Sequence, residues 1–332
     1  MPKISFMLYK HCLSSTITAL IDAFSICNAL HDDMNKDTAE MPSPLFEMTI
    51  AAAAKEPVLT NGGVLIQPDV TFHTAEKPDL IIIPPRLFAR QPDEEELSQI
   101  LPWLKNNYQK GVRIGTLCTG SFILAMTGLL DQKTATTNWL YAKKFQREFP
   151  RVRLTPDRIL TDDGGLICSG AITAMYNLAL YVIEIFGSAD LSRKCAGILL
   201  VDRNRKSQQP YMTAVFRKNH GDRQILKGQN WFERNYATRF SIDDVAAVVG
   251  LSPRHFKRRF KQATGENPLR YLQLIRLERA KDLLETSLEG IEAITNKVGY
   301  EDSRTFRRLF KKFTSLSPRE YRDRFGTVQV KD

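Results

Sequence analysis

Two patterns of apolar and polar positions divide this chain. Through about the first two hundred residues, short apolar runs alternate with segments whose apolar residues recur at helical spacing. Residues 4–9 read as a strand, 16–30 as a helix and 46–52 again as a strand. Leu80-Ile81-Ile82-Ile83 is a buried-strand run ended by Pro84-Pro85. Residues 94–109 predict a helix whose acidic first turn suits the macrodipole. A strand is expected over 112–117 and a helix over 120–127. Residues 159–162 and 166–168 flank Asp163-Gly164-Gly165, a hairpin turn signal. Two helices, 171–186 and 189–201, complete the segment. Such alternation predicts a layered α/β fold with a mostly parallel sheet. From about Gln224 onward the apolar spacing is helical throughout, with no convincing strand. Between the two regions, residues 202–210 are polar and charged without apolar periodicity, which reads as the start of a linker.

The helical region repeats itself. Val249-Gly250-Leu251-Ser252-Pro253-Arg254-His255-Phe256 is answered by Val298-Gly299-Tyr300-Glu301-Asp302-Ser303-Arg304-Thr305-Phe306. Phe256 and Phe306, Phe260 and Phe310, Pro268 and Pro318, and Tyr271 and Tyr321 all share one offset of 50 residues. In the first unit Ser241 is a candidate N-cap, with Asp244 completing a capping box. The helix it opens directs Val245, Ala246 and Val248 toward a core. Gly250 permits a tight turn, and Ser252 caps the next helix with Pro253 at its first position. Helix, short turn and helix make a helix-turn-helix unit. In the second unit Ile291, Ile294 and Val298 are core positions, Gly299 turns the chain, and Asp302 or Ser303 caps the following helix. Phenylalanines four apart point inward in each second helix, which puts Arg254 and Arg258 on one exposed stripe and Arg304, Arg307, Arg308 and Lys311 outward.

Charge gives the repeat its meaning. Residues 1–215 hold 22 Lys+Arg against 22 Asp+Glu; residues 216–332 hold 25 against 15, so the net +10 of the chain lies in the last third. A basic module joined to a neutral one signals a nucleic-acid or anionic-surface partner. Residues 268–285 predict one long helix of about 27 Å at about 1.5 Å per residue. That length suits a spacer placing two reading helices in successive major grooves, about 34 Å apart. No apolar run reaches the roughly 18 residues of a membrane span. The N-terminus shows no signal peptide, the five cysteines form no CxxC or Cys/His spacing, and the five histidines are scattered. The expectation is a cytoplasmic protein with no metal and no cofactor.

Residues 224–326 resemble the AraC/XylS-type DNA-binding domain, on Ala293-Ile294-Thr295-Asn296-Lys297-Val298-Gly299-Tyr300-Glu301-Asp302 followed by Phe306, Phe310 and Pro318. The resemblance implies seven helices with two helix-turn-helix units. It places base-edge contacts on Arg254, Lys257 and Arg258 in the first unit and on Ser303, Arg304, Arg307 and Arg308 in the second, with Thr305 toward a phosphate.

In the first region Arg113-Ile114-Gly115-Thr116-Leu117-Cys118-Thr119-Gly120-Ser121 is strand, cysteine, small residues and helix, the arrangement of a nucleophile elbow. Helix-terminal amides there would lower the thiol pKa. With Leu129-Leu130-Asp131-Gln132-Lys133-Thr134-Ala135-Thr136-Thr137-Asn138-Trp139 and Ser169-Gly170-Ala171-Ile172-Thr173-Ala174, it resembles the PfpI-type, glutamine-amidotransferase-like fold over about residues 3–200. That resemblance implies a flavodoxin-like α/β sandwich. It also marks departures from catalytic relatives. Thr119 stands where they carry His. Asn138 stands where related regulators often carry His before the Trp, and it takes up no proton near neutral pH. Pro84-Pro85-Arg86 replaces a Gly pair that serves an oxyanion. Asp22 is the candidate for the acidic residue beneath the cysteine, and His11 or His73 would matter only if the fold brought it close. Cys118 has three readings: a remnant on a sharp turn, part of a ligand pocket with Asp22, Thr119, Asn138 and Trp139, or a redox sensor.

The organisation expected is a PfpI-like ligand-binding and dimerisation domain over 1–202, a linker over 203–223 and an AraC-type reader over 224–326. The function expected is a non-catalytic transcriptional regulator that binds operator DNA, its first domain binding a small effector, pairing with a second copy to form a homodimer, or both. Two alternatives stand beside it: a Cys118-dependent hydrolase or amidase tethered to DNA, and an architectural DNA binder with a degenerate first domain.

Overall fold

The computed structural model describes residues 1–36, 43–87 and 93–327. The chain forms two compact units, Met1–Gln208 and Gln209–Asp332. The first runs β1 (Lys3–Met7), α1 (Ser14–Met34), β2 (Glu47–Ala52), β3 (Val58–Leu59), β4 (Leu65–Ile66), β5 (Val70–Thr71), β6 (Leu80–Ile83), α2 (Glu94–Gln109), β7 (Arg113–Leu117), α3 (Gly120–Met126), β8 (Thr134–Ala135), α4 (Ala142–Glu148), β9 (Arg153–Leu154), β10 (Leu160–Asp163), β11 (Leu166–Ser169), α5 (Met175–Phe186) and α6 (Ala189–Ile198).

Its main sheet has the order β10-β11-β7-β6-β1-β2-β5, parallel except for the β10–β11 hairpin at one edge. All four residues of β6 are buried, which is why that strand is an unbroken apolar run rather than an alternating one. Successive parallel strands proceed from β1 to β2 and β5 on one side, and from β6 to β7 and β11 on the other. The order therefore reverses between β1 and β6. In open α/β sheets the carboxyl ends at such a reversal frame the crevice that holds ligands. The short strands β3, β4, β5, β8 and β9 and helix α4 were not foreseen, since two-residue strands carry no periodicity.

The second unit holds α7 (Arg223–Asn235), α8 (Ile242–Val248), α9 (Pro253–Thr264), α10 (Pro268–Thr286), α11 (Ile291–Lys297), α12 (Ser303–Thr314) and α13 (Pro318–Phe325). It has two cores. Ile225, Phe232, Val245, Phe256 and Phe260 pack with Tyr271 and Ile275 from the first half of α10. Ile294, Val298, Phe306, Phe310 and Tyr321 pack with Leu277 and Leu284 from its second half. Helix α10 is thus a wall shared by both halves. The repeat reaches beyond the phenylalanines. Buried Thr264 and Thr314 each donate their hydroxyl to the carbonyl four residues earlier, of Phe260 and Phe310, at 2.7 and 2.8 Å. Tyr271 and Tyr321 donate to Glu233 and Glu285 at 3.3 and 2.7 Å.

Two expectations need correction. Val248 is 42% exposed, and Val249 enters the core instead, because the buried positions of α8 fall at 245, 246 and 249. Nor is the stretch 203–223 a free linker. Gln208, 2% exposed, donates through Nε2 to the carbonyls of Thr137, Pro156 and Arg158, each at 2.9 Å. Beyond it, Ala214 N–H donates to Glu278 and Arg217 O accepts from Gln229, so this chain is folded onto the second unit. Polar composition hides such anchoring, since the bonds are made by single side chains without a period. Gln208→Ala is expected to cost the first unit about 1–3 kcal/mol by leaving buried carbonyls unsatisfied. Urea unfolding of the full chain, followed at a probe in the first unit, checks this; an unchanged midpoint would refute the staple.

Candidate nucleic-acid interface

The first helix-turn-helix unit, a candidate reader of DNA, is built by local rules. Ser241 accepts from Asp244 N–H, and the Asp244 side chain accepts from Ser241 N–H, so the predicted capping box is present. Gly250 turns the chain at φ 71°. Ser252 caps α9 by accepting from His255 N–H, with Pro253 at the first turn. Phe256 and Phe260 are fully buried, and this fixes the roll of the helix. Arg254, Lys257 and Arg258 are consequently exposed. Lys257 lies 3.1 Å from Asp243. Arg259 faces another way: it grips Asp222 through Nε and Nη2 at 3.0 and 2.8 Å and donates to Gln224 at 2.7 Å, so it fastens α9 to α7.

The second reader repeats this with tighter construction. Gly299 has φ 85°, and a Cβ there would lie 2.8 Å from Tyr236 O and 2.9 Å from Ala237 O. Only glycine satisfies both the turn and the close approach. Asp302 is the cap, accepting from Arg304 and Thr305 N–H at 3.0 and 2.9 Å. Bonds from the Thr305 side chain and those two amides hold its carboxyl below the usual range. Phe306 and Phe310 are buried, which leaves Arg304, Arg307 and Arg308 exposed; Ser303 and Thr305 are half-buried. Among the described residues, Arg254, Arg258, Arg304, Arg307 and Arg308 make no side-chain hydrogen bond or ion pair. Five guanidinium groups thus stand outward on two helices with no hydrogen bond or ion pair among the described residues, Arg304 alone feeling the nearby Asp302 carboxylate.

Sequence reasoning missed the residue that locks the two readers together. Arg276, midway along α10, donates through Nε to Tyr236 O at 2.8 Å and lies 5.0 Å from the Tyr300 ring centroid. It joins the end of α7 to the turn of the second reader. Its only advance signal was an arginine inside an otherwise apolar stretch. Arg276→Ala is expected to weaken binding to a two-groove site by tenfold or more while changing single-reader half-site binding little, since it loosens spacing rather than contacts. Paired titrations of both duplexes check this; equal losses on the two would contradict it.

In the first unit the elbow forms as expected. Cys118 sits between β7 and α3 with φ 51°, a left-handed conformation that costs a non-glycine residue about 1–2 kcal/mol. Its carbonyl accepts from Ser121 and Thr137 hydroxyls at 3.0 and 3.1 Å. The expected lowering of the thiol pKa does not occur. Burial pushes the thiol up to about 11, outweighing the Thr119 amide and Asn138 side chain that bond it. Asn138 also caps the turn that follows it, accepting from Leu140 N–H at 3.0 Å. The Thr119 hydroxyl is committed to the Pro84-Pro85-Arg86 segment: it donates to Arg86 O at 2.7 Å and accepts Arg86 N–H at 3.0 Å. The amide that an oxyanion would need from this segment is therefore already bonded. Trp139 is half-buried, and its backbone N–H donates to Gln208 Oε1 at 3.3 Å. Asp22 does not join the group. It is on the exposed face of α1, because Ala23, Phe24 and Cys27 take the buried face.

A cavity of about 500 Å³ opens beyond the ends of β1 and β2, lined by Lys10, His11, Ala54, Glu56, Leu59 and Glu96 among others. Glu96 accepts Lys10 N–H at 2.9 Å. His11 lines this space, while His73 lines a different cleft beside Trp103. Neither hydrogen-bonds the Cys118 thiol.

A neutral α/β unit with an elbow at its carboxyl edge, followed by a twin helix-turn-helix unit, defines a two-part DNA-binding protein. Residues 245–324 match the family model of a helix-turn-helix domain, and residues 35–185 match that of the DJ-1/PfpI family. The chain is similar to the HTH-type transcriptional regulator CdhR of Pseudomonas aeruginosa, 23% identical over 91% of this chain and 86% of the relative. It is also similar to the HTH-type transcriptional regulator ArgR of the same organism, 24% identical over 97% and 93%. The HTH-type transcriptional regulator GlxA of Rhizobium meliloti is 28% identical over 65% and 67%. The chain thus joins a segment of DJ-1/PfpI type to a helix-turn-helix segment of AraC type, and the relatives it resembles along most of its length are HTH-type transcriptional regulators. Among the described residues no helix is long and apolar enough to cross a membrane.

Proposed function

We propose that this chain regulates transcription by reading operator DNA with α9 and α12 in successive major grooves. The reading is carried by five exposed arginines on two capped helices, none of which makes a side-chain hydrogen bond or ion pair among the described residues. Guanidinium groups near a helix N-terminus pair with guanine O6 and N7, while neighbouring cations hold phosphates and set register. Arg254, Lys257, Arg258, Ser303, Arg304, Arg307 and Arg308 are assigned to base edges and Thr305 to a phosphate. Selection of bound sites from a random duplex pool tests the reading. A shared motif and a steep loss of affinity with salt support it, and sequence-blind binding refutes it.

The first unit serves as effector sensor and dimerisation domain, since pairing two readers raises apparent affinity through effective concentration. Cys118, Thr119, Asn138 and Trp139 form the wall of its elbow, and the cavity past β1 and β2 extends the ligand-binding edge. This unit does no chemistry. A nucleophilic thiol needs a base and a lowered pKa, and here burial raises it while the nearby amides are in use. Five unpaired, buried thiols suit a reducing cytosol.

A thiol titration provides the check. Cys118 should remain protonated at neutral pH and react with alkylating reagents only slowly. Its folded pKa of about 11 lies above the ordinary 9.0, so its contribution to stability is complete below pH 9 and is lost as pH rises toward 11. Rapid alkylation of Cys118 at pH 7 would reverse the assignment.

A further inference from the structure

We propose that a second cavity in the first unit, bounded by α5, α6 and residues 203–206, binds a small organic anion: a carboxylate or phosphate ester on a short apolar body. This rests on the reading of the first unit as an effector sensor, and it locates the effector away from the elbow. The cavity has a volume of about 530 Å³, within the range of small-molecule sites. Arg158, Arg203, Arg205 and Lys206 line it, against Glu184 as the single acidic residue among the described residues of its wall. The lining is therefore net +3, in a unit whose 22 basic and 22 acidic residues cancel. Basic composition does not account for that concentration. A concave wall of one sign focuses the field on an incoming anion.

The cations are also differently committed. Arg203 lies 3.5 Å from Glu184, and Arg205 is held by Thr173 Oγ1 at 2.9 Å, which presets its fork. The side chains of Arg158 and Lys206 make no hydrogen bond or ion pair among the described residues. Fixed and uncommitted cations around one space suit a carboxylate or phosphate, which guanidinium groups bind bidentately. Ile159, Leu160 and Leu180 give the same space an apolar floor, so the ligand carries a short hydrocarbon part as well as its charge. Arg205 and Lys206 precede Gln208 by only a few residues, so an anion held here would tie down the segment that leads into the reader.

Calorimetric titration of the full chain at constant ionic strength tests the site, with succinate, glycerol 3-phosphate and the neutral diamide succinamide as probes. One anion per chain is expected to bind, succinate identifying a carboxylate site and glycerol 3-phosphate a phosphate site, while succinamide does not. Arg158→Ala combined with Lys206→Ala should weaken that binding at least tenfold, and Arg158→Lys should retain most of it. Both residues are exposed and unpaired, so an unchanged melting curve is expected of each variant. The exposed arginines of the second unit also attract anions, which makes the variant comparison decisive. Parent-like binding by the double variant, equal binding of succinamide, or no anion binding at all would overturn the proposal. Operator selection without any anion tests the regulator reading separately; success there with failure here sinks the anion site alone.

Discussion

Arg258→Ala and Arg308→Ala are each expected to lower affinity for the selected operator by tenfold or more, the roughly 1–3 kcal/mol of a bidentate base contact. Each should relax sequence preference at one position of its own groove while leaving the other groove's preference intact. The basis is geometric: buried phenylalanines fix the roll of α9 and α12, and both arginines are exposed with no hydrogen bond or ion pair among the described residues. Repeating the site selection with each variant provides the measurement. A uniform loss across all sequences would reassign the residue to phosphate contact, and parent-like binding would remove it from the interface. Arg259→Ala should behave differently, weakening the fold of the first reader through lost contacts to Asp222 and Gln224.

The second large effect concerns the two cores. Phe256→Ala and Phe306→Ala are each expected to cost about 3–5 kcal/mol, because each ring is buried in a packed cluster that cannot collapse fully around a void. The damage should be local. Phe306 belongs to the cluster of α11, α12 and α13, and Phe256 to that of α7, α8 and α9; α10 is common to both. Native-state hydrogen exchange should therefore show Phe306→Ala exposing the amides of α11–α13 well before those of α7–α9. The reverse order is expected for Phe256→Ala. Equal exposure of both halves by either variant would mean that α10 couples them into one cooperative block.

These outcomes differ in how far they could be foreseen. The readers were legible because everything that makes them is local. Caps at Ser241, Ser252 and Asp302, a turn glycine and two phenylalanines four apart act within one or two helical turns, and the 50-residue offset stated them twice. The alternation of strands and helices was legible for a similar reason, since each element carries its own period. Val248 shows the limit: a helix of seven residues admits more than one roll, and only contact with α7 and α9 selected Val249 for the core. Arg276 shows it again, because its partners Tyr236 and Tyr300 lie 40 residues before it and 24 after it.

For this protein the sequence by itself determined the two-part architecture, the placement of positive charge in the last third and the position of the two helix-turn-helix units, because those depend on composition and short-range periodicity. Tertiary structure alone decided the chemistry of the first unit. Burial, which no local pattern encodes, raised the Cys118 thiol instead of lowering it. Packing of α1 turned Asp22 to solvent. Long-range folding gathered Arg158 with Arg203, Arg205 and Lys206 around one space, and bonded Gln208 to carbonyls 50 to 71 residues earlier. The physical reason is that pKa shifts and cavities arise from groups distant along the chain, and only the folded backbone brings such groups within reach.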